Sequence, residues 1–139
     1  MIDCMIIGDS IAVGTHMQRP ECVSYAKSGW NTWQWNRDYL NNDLTASTVI
    51  ISLGSNDHKG VKTRHELETM RAKVKGNRVF WILPAGNSKA SGVPIEDIQA
   101  IVKDIAAKNG DVVLPITSLS GDGVHPTSRG YKNIAEGTR

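Results

Sequence analysis

The chain predicts an α/β protein, a parallel sheet covered by helices on both faces. Two observations carry this. Apolar runs of four to six residues alternate with segments of helical period along the whole chain. The runs are short and rich in Ile, Val and Leu, which marks strands of a parallel sheet buried on both sides. The candidate strands are Ile2 to Ile7, Cys22 to Tyr25, Thr48 to Leu53, Arg78 to Leu83 and Val112 to Ile116.

The segments between them carry helix signals. Gly8-Asp9-Ser10 turns the first strand into a helix, and a short helix after Gly29 would bury Trp33 and Trp35 in the core, with Trp30 divided between packing and substrate. Thr63 and Glu66, three residues apart, read as a capping box; Leu67, Met70 and Val74 then form one apolar face, and Gly76 ends the segment. Pro94 suits the first turn of a further helix, Ile95, Ile98, Val102 and Ile105 recur at helical spacing, and Asn109-Gly110 closes it. Ala85 to Val93 reads as a loop.

At 139 residues, with 40% hydrophobic and 22% charged residues, the composition suits one globular domain over residues 1–139. The net charge of +2 comes from dispersed Lys and Arg, so neither a nucleic-acid nor a membrane-surface partner is expected. No stretch reaches the roughly 18 apolar residues of a membrane helix, and without a signal-like start the default expectation is a cytoplasmic, monomeric protein. Cys4 and Cys22, each within an apolar stretch, are expected to be two buried thiols, with a disulfide between neighbouring strands the weaker alternative.

Ligands of open parallel sheets sit at the carboxyl ends of the strands, so the loops beginning near Gly8, Ala26, Gly54, Pro84 and Thr117 should share one face. Ser10, in the first of these, is either a helix cap or a nucleophile. A serine hydroxyl needs a base and an orienting carboxylate. Asp122-Gly123-Val124-His125-Pro126 in the last loop offers both, whereas His16, His58 and His65 read as surface residues and have no metal-site spacing. Gly29 and Asn56, from the two loops between, could donate hydrogen bonds to an oxyanion. Asp9 and Asp57 are expected to brace their loops, with Asp57 and Trp30 also tentative substrate contacts.

These blocks, Gly8-Asp9-Ser10 with Gly14, Gly29, Gly54-Ser55-Asn56-Asp57, and Asp122 to Pro126, resemble in residue and order those of the SGNH hydrolases, also called GDSL-type esterases. The tail Pro126-Thr127, Gly130-Tyr131 and Ile134-Ala135 is similar to the family's closing helix. The resemblance implies a flavodoxin-like three-layer α/β/α fold. It also implies Ser10 as nucleophile, His125 as base, Asp122 as its orienter, the N–H groups of Ser10 and Gly29 with Asn56 as oxyanion hole, and no metal or cofactor. The expected activity is hydrolysis of a small acyl ester, with acetyl on a carbohydrate preferred, through an open, shallow site. The alternatives are a glycan- or cell-wall-active enzyme, an acyltransferase, or a non-catalytic module that keeps the fold.

Overall fold

A computed structural model describes residues 1–86 and 91–139. All five expected strands form, each within a few residues of its predicted bounds: β1 (Cys4–Gly8), β2 (Val23–Ala26), β3 (Thr48–Ser52), β4 (Arg78–Ile82) and β5 (Val112–Leu114). They pair in parallel in the order β2-β1-β3-β4-β5. Five helices connect or follow them: α1 (Ser10–Gln18), α2 (Thr32–Tyr39), α3 (Thr63–Lys73), α4 (Ile95–Asn109) and α5 (Ser128–Gly137). The loop-like stretch from Ala85 to Val93 includes residues 87–90, which lie outside the described residues.

Why the strand sequences are apolar throughout is visible in how their side chains divide. Met5, Ile7, Val49, Ile51, Val79 and Trp81 point into a core closed by Trp35 of α2, Leu67 and Met70 of α3, and Val102 and Ile105 of α4. Cys4, Ile6, Ile50, Phe80 and Ile82 point the other way, onto Ile11 and Ala12 of α1 and Ile134 of α5. Successive strand residues therefore feed opposite cores, which favours apolar residues at both.

Two local expectations are corrected. Cys4 and Cys22 form a disulfide, because the start of β1 and the residue before β2 lie side by side with Cα atoms 4.8 Å apart. The predicted capping box at Thr63 and Glu66 does not form. Lys62 holds the cap position of α3 without a side-chain bond, Thr63 donates to Asp57, and Glu66 accepts from Asn36. The box stands instead at α2, where Asn31 accepts from the Gln34 N–H and Gln34 accepts from the Asn31 N–H. In contrast, α4 follows its signals closely, with Pro94 at the cap and Gly110 left-handed at the other end.

The strand order sets the site. From β1 the chain passes to β2 on one side, then crosses back to β3 on the other, so the loops after β1 and β3 diverge and open a crevice at the carboxyl edge. Gly8 closes β1 there with φ +145°; a Cβ at this position would collide with the Ser52 carbonyl at the end of β3, the acceptor of the Asp9 N–H at 3.0 Å. The glycine thus lets the first loop lie directly against the third.

Candidate active site

Ser10 is not the cap of α1. That position belongs to Asp9, in extended conformation, whose carboxylate accepts the Ile11 N–H at 3.0 Å. Ser10 is the first helical residue, and its hydroxyl is free for another partner: Oγ lies 2.7 Å from Nε2 of His125, 115 residues downstream. On the other side of the ring, Nδ1 lies 2.6 Å from Oδ2 of Asp122. An ionised carboxylate can only accept, so Nδ1 carries the proton and Nε2 accepts from the Ser10 hydroxyl.

Asp122 is held in an ionised state by its own turn. Oδ1 accepts from the His125 N–H and the Val124 N–H, both at 2.9 Å, and from the Ser120 hydroxyl at 2.8 Å. The bond from the His125 backbone, then that from its ring, hold the carboxyl well below the usual carboxylate range. Gly123, at φ +70°, turns the chain between acid and base. The three-residue spacing from Asp122 to His125 thus places backbone and ring of the same histidine on one carboxylate.

Gly29 and Asn56 stand in the loops that follow β2 and β3. Gly29 has φ +81°, and a Cβ built on it would have no neighbour within 4 Å, so the backbone conformation requires the glycine while the space above it is open. Asn56 donates one amide hydrogen from Nδ2 to the Trp30 carbonyl at 3.0 Å, which fixes the side chain and leaves the second amide hydrogen for a ligand.

Asp57 is 2% exposed, and its carboxylate is fully engaged within the fold. Oδ1 accepts the Thr32 N–H at 2.9 Å, and Oδ2 accepts the hydroxyls of Thr32 at 2.8 Å and Thr63 at 2.6 Å. It ties the starts of α2 and α3 to the Asn56 loop, and burial raises its pKa. Bracing fits this geometry, since both carboxylate oxygens accept hydrogen bonds within the fold. Trp30 is half-buried, packed against Tyr39 with ring centres 5.8 Å apart and flanked by Lys27 and Arg37. Its carbonyl accepts the Asn56 amide.

The tryptophan expectations divide. Trp35 is fully buried and donates Nε1–H to the Tyr25 carbonyl at 2.9 Å, whereas Trp33, expected in the core, is 52% exposed. α2 is only eight residues long, and its buried side is taken by Thr32, Trp35 and Asn36. Trp33 falls between them and faces out.

Asp9 has no exposed surface and accepts from Ser55 at 2.8 Å and from Ser52 at 3.3 Å. Burial pushes it from 3.8 up to about 6 against those bonds. The folded protein therefore holds this proton more tightly than the unfolded chain does. Its contribution to stability is full below pH 3.8 and is lost as pH rises to about 6. At about 1.4 kcal/mol per tenfold change in affinity, the loss is about 3 kcal/mol. Asp9→Asn removes this titration, so its stability relative to wild type should improve by about 2 kcal/mol between pH 4 and pH 7. Denaturant unfolding of both proteins across that interval checks it, and a pH-independent difference would contradict the buried, titrating Asp9.

No family model and no curated protein matches the chain. Solved structures do match. One is a protein from Bacteroides fragilis NCTC 9343 assigned as an acylhydrolase, 22% identical, matching over 96% of this chain and 83% of its own with TM-score 0.69. The C-terminal catalytic domain of Streptococcus pneumoniae peptidoglycan O-acetyltransferase A is 18% identical over 97% of this chain and 89% of its own, with TM-score 0.60. A Slackia heliotrinireducens protein assigned as an SGNH hydrolase is 14% identical, matching over 99% of this chain and 98% of its own with TM-score 0.62. The fold is a three-layer α/β/α sandwich around a five-stranded parallel sheet. It is the SGNH hydrolase fold.

Proposed function

We propose that the protein is a serine esterase that hydrolyses a small acyl ester, acetyl on a carbohydrate being the preferred class. The observation that carries this reading is the Ser10–His125–Asp122 chain of hydrogen bonds at 2.7 and 2.6 Å, on a serine released from capping by Asp9.

In the proposed reaction Ser10 Oγ attacks the ester carbonyl carbon as Nε2 of His125 takes the hydroxyl proton. Negative charge gathers on the former carbonyl oxygen, where the N–H groups of Ser10 and Gly29 and the free amide hydrogen of Asn56 would donate to it. The Ser10 N–H, in the first turn of α1, has no carbonyl of its own helix to bond, and the helix dipole adds to its effect. The intermediate collapses to an acyl-serine as His125 returns the proton to the departing alcohol oxygen. Water then attacks the acyl carbon, giving its proton to His125, and collapse frees the acid and restores Ser10. Residues of this chain complete each step, without a metal or cofactor.

The open space around Gly29 also suits an alcohol in place of water, and the fold likeness to an O-acetyltransferase domain supports acyl transfer as a second reading. The Cys4–Cys22 disulfide supports an oxidising compartment as the place of action over the cytoplasm first expected.

The test is p-nitrophenyl acetate turnover with a burst of p-nitrophenol, and a fluorophosphonate adduct mapped to Ser10. Absence of both overturns the esterase reading, and acyl appearing on an added sugar acceptor instead of in water would favour transfer. Asn56→Ala should lower kcat by about 100- to 1000-fold, the usual effect of removing one oxyanion donor. Steady-state kinetics on the same ester would measure it, and an unchanged kcat would remove Asn56 from the oxyanion hole.

A further inference from the structure

Asp122 and His125 sit in a turn that is closed on itself. The Ser120 N–H donates to the His125 carbonyl at 2.8 Å, the Thr127 N–H donates to the Ser118 carbonyl at 3.0 Å, and Leu119 pairs with Pro126 across the turn. The hydroxyls of Ser118 and Thr127 are bonded at 2.6 Å. The first turn of α5 is pressed onto the same segment. Thr127 caps the helix by accepting the Gly130 N–H, and a Cβ on Gly130 would meet the Ser118 carbonyl oxygen at 2.5 Å and Pro126 Cβ at 2.8 Å. The acid, the base and α5 thus form one body, whereas Ser10 belongs to α1. The 2.7 Å bond between Ser10 and His125 is the link of the proposed relay that spans two bodies, so the docking of α5 on α1 sets it.

The two helices lie side by side and run the same way. Ser10 meets His125 at their N-terminal ends, and at the other end the buried Arg19 donates from Nη1 to the carbonyl and the hydroxyl of Thr138, both at 3.1 Å. Between these ends Ile11 and Ile134 share a core. Tyr131 supplies a further contact, at Gly14, about one helical turn beyond Ser10. A Cβ on Gly14 would fall within the end of the Tyr131 ring, 2.6 Å from the hydroxyl oxygen. Gly14 lies inside α1 without a positive φ, so its backbone has no need of glycine, and alanine would be the better helix former. The ring is what needs the space. The Tyr131 hydroxyl has no hydrogen-bond partner among the described residues, so the contact is one of packing. Burial, and after it the carboxylates of Asp9 and Asp122, raise the pKa of the phenol, which leaves the ring end neutral and within reach of both charges.

We propose, resting on the esterase reading, that Tyr131 is a positioning residue for the reaction: its ring, seated on Gly14, is the stop that holds His125 at hydrogen-bonding distance from Ser10. With the ring gone, or lifted by a methyl on Gly14, α5 and the turn fused to it would shift against α1 as a unit. Asp122 would stay on His125, because their bonds lie within the turn, and the base would leave the nucleophile. Proton transfer needs the two atoms within hydrogen-bond reach. A misplacement of about 1 Å can cost on the order of 100-fold in rate. The ring is asked for no substrate contact, so binding of a small ester is spared and the loss falls on kcat.

The experiment measures kcat and KM on p-nitrophenyl acetate for wild type, Tyr131→Phe, Tyr131→Ala and Gly14→Ala, each below its urea unfolding midpoint. Tyr131→Ala and Gly14→Ala should each lower kcat by about 10- to 100-fold with KM within about 2-fold, whereas Tyr131→Phe, which keeps the ring, should stay within about 2-fold of wild type in both. Gly14→Ala removes no packing, so it carries the test if Tyr131→Ala does not fold. In a His125→Ala background, Tyr131→Ala should change the residual turnover by less than about 2-fold, because the ring acts through the histidine. Wild-type kcat in both alanine variants, an equal loss in Tyr131→Phe, or an undiminished loss in the His125→Ala background overturns the positioning role and leaves the esterase reading standing. Failure of wild type on p-nitrophenyl acetate and on longer esters overturns both.

Discussion

Ser10→Ala is expected to lower ester turnover by about 10⁴- to 10⁶-fold and to abolish the burst and the fluorophosphonate adduct. The size follows from the geometry. Ser10 Oγ is the atom that would bond to the acyl carbon, and it is already hydrogen-bonded to its base at 2.7 Å, so no rearrangement would restore a nucleophile once it is gone. His125→Ala should cost nearly as much, and the double variant little more than either, because the two act as one unit. Asp122→Asn should cost less than either. Its side chain is 51% exposed, so water can take over part of its charge stabilisation, although an amide in its place would favour the wrong tautomer of His125. Single-turnover and steady-state kinetics on p-nitrophenyl acetate separate these cases. Ser10→Ala at wild-type rate would exclude Ser10 as nucleophile, and additive losses in the double variant would exclude a Ser10–His125 unit.

Much of the architecture was legible before any coordinates. The central strands β1, β3 and β4 are largely apolar because helices cover the sheet on both sides, and that leaves a strong signal in the sequence. α4 was equally plain, since Pro94, four spaced apolar residues and Gly110 all point to one helix. The candidate site was legible as residue types in order, but not in its division of labour. In Gly8-Asp9-Ser10 both polar residues are good caps, and only the structure assigns capping to Asp9 and the free hydroxyl to Ser10.

What the sequence hid depends on contacts between distant segments. Thr63 and Glu66 have capping-box spacing, yet each is drawn away by a stronger partner in another loop or helix, Asp57 and Asn36 respectively. Cys4 and Cys22 looked like core thiols because burial and pairing leave the same local trace; their closeness follows from the β1–β2 register. Trp33 looked like core because tryptophan usually is, and its exposure follows from α2 being too short to bury a second indole beside Trp35.

The largest effect on stability is expected far from the proposed chemistry, at Asp111. Arg71 of α3 reaches this carboxylate with two parallel bonds, Nε to Oδ2 at 2.7 Å and Nη2 to Oδ1 at 2.9 Å, and Trp81 of β4 adds Nε1–H to Oδ2 at 2.9 Å. The two charged side chains are 14% and 4% exposed. One carboxylate at the start of β5 therefore anchors a helix and the neighbouring strand. Asp111→Ala would leave an indole N–H without its acceptor and the guanidinium with only the Val74 carbonyl, 3.1 Å from Nη1, in a place water reaches poorly, and should destabilise the fold by about 3–5 kcal/mol. Arg71→Met should cost less, since the Asp111 carboxylate would keep its bond from Trp81 and the new side chain would fill part of the space. Urea unfolding of both variants beside wild type measures the difference. A loss under 1 kcal/mol for Asp111→Ala would mean that solvent already screens the pair, as at an exposed ion pair. A large loss with ester turnover unchanged below the unfolding midpoint would separate the anchoring of α3 and β5 from the proposed catalytic residues.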